Sequence, residues 1–195
     1  MTTLRAPHAS STWLSTLVTP LSAVTSMSRV VLLVAGAADA TAAREAAAGP
    51  VVGMTEAALM TASVLAHRFD VITMPQRTRR QAEQVVRTLG LEHRCTVLAV
   101  DEPVAGIASG SLHLLDLFVA QGRIAMDDHA AEAVILGCAG LADLVGPLQK
   151  ALGVPVIEGV AAAVTIAEGL VAQSLTTSRI STWARSGSPD GRMVA

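Results

Sequence analysis

Between residues 30 and 173, short apolar runs alternate with longer stretches whose apolar positions recur every three to four residues. The runs at 30–35, 51–54, 69–73, 96–100, 133–136 and 154–157 are built mainly from Val, Ile, Leu and Ala. Nearly continuous apolar runs of this length predict strands covered on both faces. The stretches between them predict helices over 40–48, from 55 to about 67, over 78–89, within 109–121, over 140–152 and over 159–173. In the helix at 140–152, Leu141, Leu144, Val145, Leu148 and Leu152 fall on one face; in the last, Val160, Val164, Ala167 and Val171 do. Gly49-Pro50 and Gly90 close two of these helices. Strand–helix alternation at this spacing predicts an α/β fold of parallel strands joined by right-handed crossovers. Residues 1–28 are rich in Ser, Thr and Ala without a period and read as a loosely ordered lead-in. Ser186-Gly187-Ser188-Pro189-Asp190-Gly191 has linker chemistry and reads as part of a flexible tail. No internal repeat is visible.

Composition sharpens this picture. Hydrophobic residues make up 51% of the 195, charged residues 15%, and the aromatics are 2 Trp, 2 Phe and no Tyr. The core must therefore be aliphatic and Ala-rich, and a stacking platform for single-stranded nucleic acid is excluded. A net charge of −2 also argues against a nucleic-acid partner. The longest uncharged stretch, 6–28, holds ten Ser/Thr residues and Pro20, so it is a poor bilayer span and a poor signal peptide. Cys95 and Cys138 lack paired spacing, which points away from a disulfide framework or zinc site and towards a reducing cytoplasm.

Cys138 lies in Val134-Ile135-Leu136-Gly137-Cys138-Ala139-Gly140-Leu141, directly after a predicted strand and before a predicted helix. Open α/β sheets place their sites at this carboxyl edge. Free amides at a helix start favour a thiolate, and the small neighbours Gly137, Ala139 and Gly140 let a carbonyl approach the backbone. The alternative is a buried structural cysteine. Thr55 occupies the matching place in the first half, or is simply a helix N-cap. Cys95 reads as a core or edge cysteine, Asp127-Asp128-His129 as a solvated loop or helix start, and Arg77, Arg79 and Arg80 as a solvated helix start. No Walker loop, dinucleotide fingerprint or nucleophile elbow is present.

Four segments carry a resemblance. Gly49-Pro50-Val51-Val52-Gly53-Met54-Thr55-Glu56-Ala57-Ala58-Leu59 resembles the stretch around the first catalytic cysteine of hydantoin racemases. His67-Arg68-Phe69 with Val71-Ile72-Thr73 resembles the following strand. Val134 to Leu141, with Asp143-Leu144, resembles the second catalytic segment. Gly153-Val154-Pro155-Val156-Ile157-Glu158-Gly159-Val160-Ala161-Ala162-Ala163-Val164 resembles the close of the fold. The sequence is identified on these segments as a member of the hydantoin racemase family, within the aspartate/glutamate racemase superfamily that also holds allantoin racemase and arylmalonate decarboxylase.

The resemblance implies two pseudo-symmetric half-domains with parallel sheets flanked by helices, the first one truncated. It implies a lead-in at 1–28, a racemase-like domain at 29–180 and a flexible tail at 181–195. The first half would take about 29–100 with 170–180, the second about 101–169. It implies a cofactor-independent, metal-free, cytoplasmic isomerase, homo-oligomeric, acting on a small molecule such as a 5-substituted hydantoin. In the family, one cysteine thiolate removes the proton beside a carbonyl and a second thiol returns one from the opposite face, while backbone amides hold the enolate-like oxygen. Cys138 would be the surviving acid/base, and Thr55 would stand where the first cysteine is lost. Thr73, Glu56, Gly137, Ala139 and Gly140 would line the substrate site. Ionising an alcohol at Thr55 costs roughly 10 kcal/mol more than ionising a thiol, so Thr55 cannot serve as a second base. The Asn-Pro-Asn turn that opens the family has no counterpart in residues 1–29. Loss of one cysteine also matches the one-cysteine arylmalonate decarboxylase pattern, and a non-catalytic remnant is the third reading.

Overall fold

The structure, a computed structural model, describes residues 32–34, 37–103, 107 and 110–184. The calls on the lead-in at 1–28 and on the tail from 185 onward lie outside these residues. The elements run β1 (Leu32–Val34), α1 (Ala37–Ala46), β2 (Val51–Gly53), α2 (Met54–Leu65), β3 (Phe69–Thr73), α3 (Arg79–Thr88), β4 (Cys95–Ala99), α4 (Leu115–His129), β5 (Ala133–Leu136), α5 (Val145–Leu152), β6 (Val156–Glu158) and α6 (Gly159–Ala172). Among the described residues every strand pairing is parallel: β1 with β2 in one sheet, and β4-β3-β5-β6 in a second.

The second sheet explains why the apolar runs looked continuous. Along β5, Ala133 and Ile135 face one core cluster, together with Val71, Val97, Ala57 and Ala163. Val134 and Leu136 face another, with Ile72, Phe118, Leu144 and Leu148. Both faces of the sheet are therefore buried, the normal state of an all-parallel sheet.

Four expectations are corrected. The helix within 109–121 is α4, preceded by a 3-10 turn at Leu112–Leu114 and extending to His129. Gly122 lies inside this helix; a Cβ there would stand 2.4 Å from Leu152 Cδ1, so its smallness lets α5 press onto α4. Asp127-Asp128-His129 is accordingly the last turn of a helix. The helix at 140–152 splits into a 3-10 turn, Ala139–Leu144, and α5. The division between halves also moves, because β3 hydrogen-bonds to both β4 and β5, so residues 69–99 belong to the second sheet.

A repeat emerges once the strands are placed. Pro50-Val51-Val52 and Pro155-Val156-Ile157 enter β2 and β6, and each strand runs directly into a helix. Ala57, Ala58 and Ala62 on α2 and Ala162, Ala163 and Ala167 on α6 are buried at matching positions, where the two helices pack together. The repeat is one of burial and element order more than of residue identity, which is why the sequence alone hid it.

Candidate active site

Parallel strands put all their carboxyl ends on one edge of the sheet. There β3 ends at Thr73, β5 at Leu136 and β6 at Glu158. The Gly137 amide continues the ladder by donating to the Ile72 carbonyl at 2.9 Å. Cys138 follows in extended conformation (φ −139°, ψ 131°) and starts the 3-10 turn Ala139–Leu144. It is half-buried, while Ala139 and Gly140 are exposed and carry amides of a helix start, which have no acceptor within the turn.

Thr73 is 2% exposed and lies beside this turn. Its Oγ1 hydrogen-bonds Thr78 Oγ1 at 2.8 Å and donates to the Gly137 carbonyl at 3.4 Å. A Cβ at Gly137 would stand 2.8 Å from Thr73 Cβ, so only glycine allows β3 and the cysteine turn to approach this closely. Thr73, Gly137, Cys138, Ala139 and Gly140 thus form one connected group.

Sequence reasoning did not single out Glu158 as a site residue. It sits 8% exposed at the end of β6, in register with Leu136, and accepts hydrogen bonds from Val160 N at 2.8 Å and Ala161 N at 2.9 Å. The signal was available, since a carboxylate just before a helix start is a natural cap. Nothing local marked the pairing of Asp143 with Ser111, which lies 32 residues away and joins this turn to the segment before α4.

Thr55 is the second residue of α2, and the N-cap of that helix is Gly53. The strand registers place Val34 opposite Gly53 and Leu136 opposite Glu158. Gly53 and Glu158 are therefore equivalent, and the counterpart of Thr55 is Val160. The position two residues past β1, as Cys138 is two past β5, is residue 36, which lies outside the described residues. The expectation that Thr55 mirrors Cys138 is corrected on this register, although α2 and α6 do start side by side: a Cβ at Gly159 would stand 3.1 Å from the Met54 carbonyl oxygen. Glu56 is engaged by Arg44 at 2.5 Å, tying α2 to α1.

Cys95 opens β4, opposite Phe69, at the amino edge. Burial, with the Asp70 carboxylate adding to it, pushes its thiol up to about 12. Phe69 also aligns with Ala133, and Cys138 lies five residues further along, so the two thiols are about 16 Å apart along the strand direction. Asp70 is 2% exposed and pairs with His129 Nδ1 at 2.5 Å; burial raises its pKa against the opposing effect of His129. Arg79 pairs with Glu83 at the start of α3. Among the described residues, no group of three or more His, Cys, Asp or Glu is placed to hold a metal ion, and no helix is long and apolar enough to cross a membrane.

A family profile described as Asp/Glu/Hydantoin racemase matches residues 15–167. The chain belongs to the Asp/Glu/hydantoin racemase family. Hydantoin racemase from Rhizobium meliloti is 42% identical over 144 residues, covering 73% of this chain and 60% of that protein. The chain thus spans about 60% of the length of this curated relative. Allantoin racemase from Pseudomonas fluorescens superposes with a TM-score of 0.78 at 34% identity, covering 85% of this chain and 72% of that structure. Arylmalonate decarboxylase is more distant, with a TM-score of 0.52 at 25% identity over 73% of this chain and 67% of that one. Membership of the racemase family accords with the parallel α/β fold.

Proposed function

We propose that this member of the racemase family moves a proton at the carbon next to a carbonyl, in a small molecule such as a 5-substituted hydantoin, using Cys138 as its single proton carrier. The observation that carries the reading is the placement of the two thiols at opposite edges of one parallel sheet. A thiolate at Cys138 takes the proton. The amides of Ala139 and Gly140 donate to the oxygen on which negative charge develops, where preorganised donors stabilise most. Thr73 and Gly137 hold the turn against β3. The carbonyl delocalises the carbanion as an enolate, so a thiol suffices for this step without a cofactor.

Inversion needs a second carrier on the far side of the carbon. Neither Thr55, the candidate drawn from the sequence, nor Gly36, two residues past β1 in the sequence as Cys138 is past β5, has a side chain that ionises near neutral pH. The reading is therefore exchange on one face with slow or absent inversion. Thr55→Cys and Gly36→Cys, assayed separately for loss of optical rotation of a 5-substituted hydantoin, test it. Gain of racemisation in either variant, abolished by adding Cys138→Ala, supports the reading; rapid racemisation by the unmodified chain overturns it. One-face decarboxylation of a malonate, as in arylmalonate decarboxylase, is the second reading, favoured by the single thiol at this edge. Carbon dioxide release from an arylmalonate separates the two.

A further inference from the structure

The turn that carries Cys138 is braced from beyond the sheet. Ser111 is wholly buried, donating its amide to Asp143 Oδ2 at 2.9 Å and its hydroxyl to Oδ1. A buried serine must find partners for its polar atoms, and both come from one exposed carboxylate in the Cys138 turn. At the start of the same turn, Ile107 occupies the space above Gly140, where a Cβ would stand 2.4 Å from Ile107 Cγ2. The Ile107 carbonyl accepts the Gly110 amide at 2.9 Å, which links it to Ser111 through the next residue. Ile107 and Cys138 pack against the same apolar cluster as Leu141 and Leu144. The turn is thus held at its near end by an apolar contact and at its far end by two hydrogen bonds.

We propose that Asp143 is a positioning residue for Cys138: by fixing Ser111 it seats Ile107 on Gly140, which sets the height of the thiol at the sheet edge and walls one side of it. The proposal rests on the reading of Cys138 as the proton carrier, but its main readout does not depend on turnover. Iodoacetamide alkylation of the full chain, followed peptide by peptide, reports access to Cys138, with Cys95 as an internal reference. Ile107→Ala removes the wall and raises the Cys138 rate several-fold. Asp143→Ala raises it similarly, and the double variant is no faster than the faster single one, because both act through one contact. Asp143→Asn, which keeps an acceptor for the Ser111 amide, falls between.

A wild-type Cys138 rate in Asp143→Ala overturns the proposal, as do effects that multiply in the double variant. Should Asp143→Ala unfold, seen as Cys95 labelling, Ser111→Ala carries the test: a raised Cys138 rate supports the proposal and an unchanged one overturns it. In deuterium exchange of a 5-substituted hydantoin, the Asp143 variants lose kcat with KM little changed. Asp143-dependent alkylation of Cys138 with no exchange by the unmodified chain refutes the catalytic reading and leaves the positioning role standing.

Discussion

The two cysteines have different surroundings because of where their strands put them. Cys95 begins β4, buried beside Asp70, with its thiol pushed up to about 12; Cys138 follows β5, half-exposed at the start of a turn. At neutral pH iodoacetamide is expected to label Cys138 far faster than Cys95, as read by mass spectrometry, and equal rates would contradict the assignment. This contrast was legible early, because Gly137, Ala139 and Gly140 mark a turn at Cys138 and nothing comparable surrounds Cys95. Gly137→Ala is expected to cost about 1–3 kcal/mol in denaturant unfolding, since the new methyl meets Thr73 on a buried strand. Asp143 gives a pH signature. Its desolvation pushes the pKa up, but the Ser111 hydroxyl and amide outweigh this and hold it below the usual 3.8. A lowered folded-state pKa means stability present above the unfolded value and lost as pH falls through the folded one. The stability difference between the wild type and Asp143→Asn is therefore full near neutral pH and closes below 3.8; a difference that grows with acid would contradict this.

At the scale of elements, the strands were read well and the helix ends poorly. β3 and β5 match their predicted runs residue for residue: β5 is apolar throughout because it is buried on both faces, while β3 carries the buried Asp70, paired with His129, and Thr73. α4 was placed too short and Asp127-Asp128-His129 was read as a loop or helix start, whereas the helix runs on to His129 and its Gly122 leaves room for Leu152. α4 ends on Ala130 in the left-handed region, φ 55° and ψ 39°. An L-residue there carries roughly 1–2 kcal/mol of strain that glycine avoids. Ala130→Gly is expected to stabilise the fold by about 1 kcal/mol, measured as a raised denaturation midpoint. The division into halves was also out of reach: hydrophobic pattern gives strands but not which strand pairs with which, so the place of β3 between β4 and β5 had to come from the structure. The same limit explains Thr55, since only the strand registers pair it with Val160.

For the whole molecule, the decisive feature is polarity. All strands of a parallel sheet point one way, so the carboxyl edge gathers Thr73, Gly137, Cys138 and Glu158, while the amino edge holds Cys95, Asp70 and His129. On the proposed reading, one thiol at this edge removes and returns a proton on one face of a carbon and has no means of delivering it to the other. The direct measurement follows a single enantiomer of a 5-substituted hydantoin in deuterated water, recording deuterium uptake and optical rotation together. The account predicts deuterium entering while rotation is retained, with uptake abolished by Cys138→Ala. Rotation lost as fast as deuterium enters would mean a second proton carrier faces Cys138, and would contradict it.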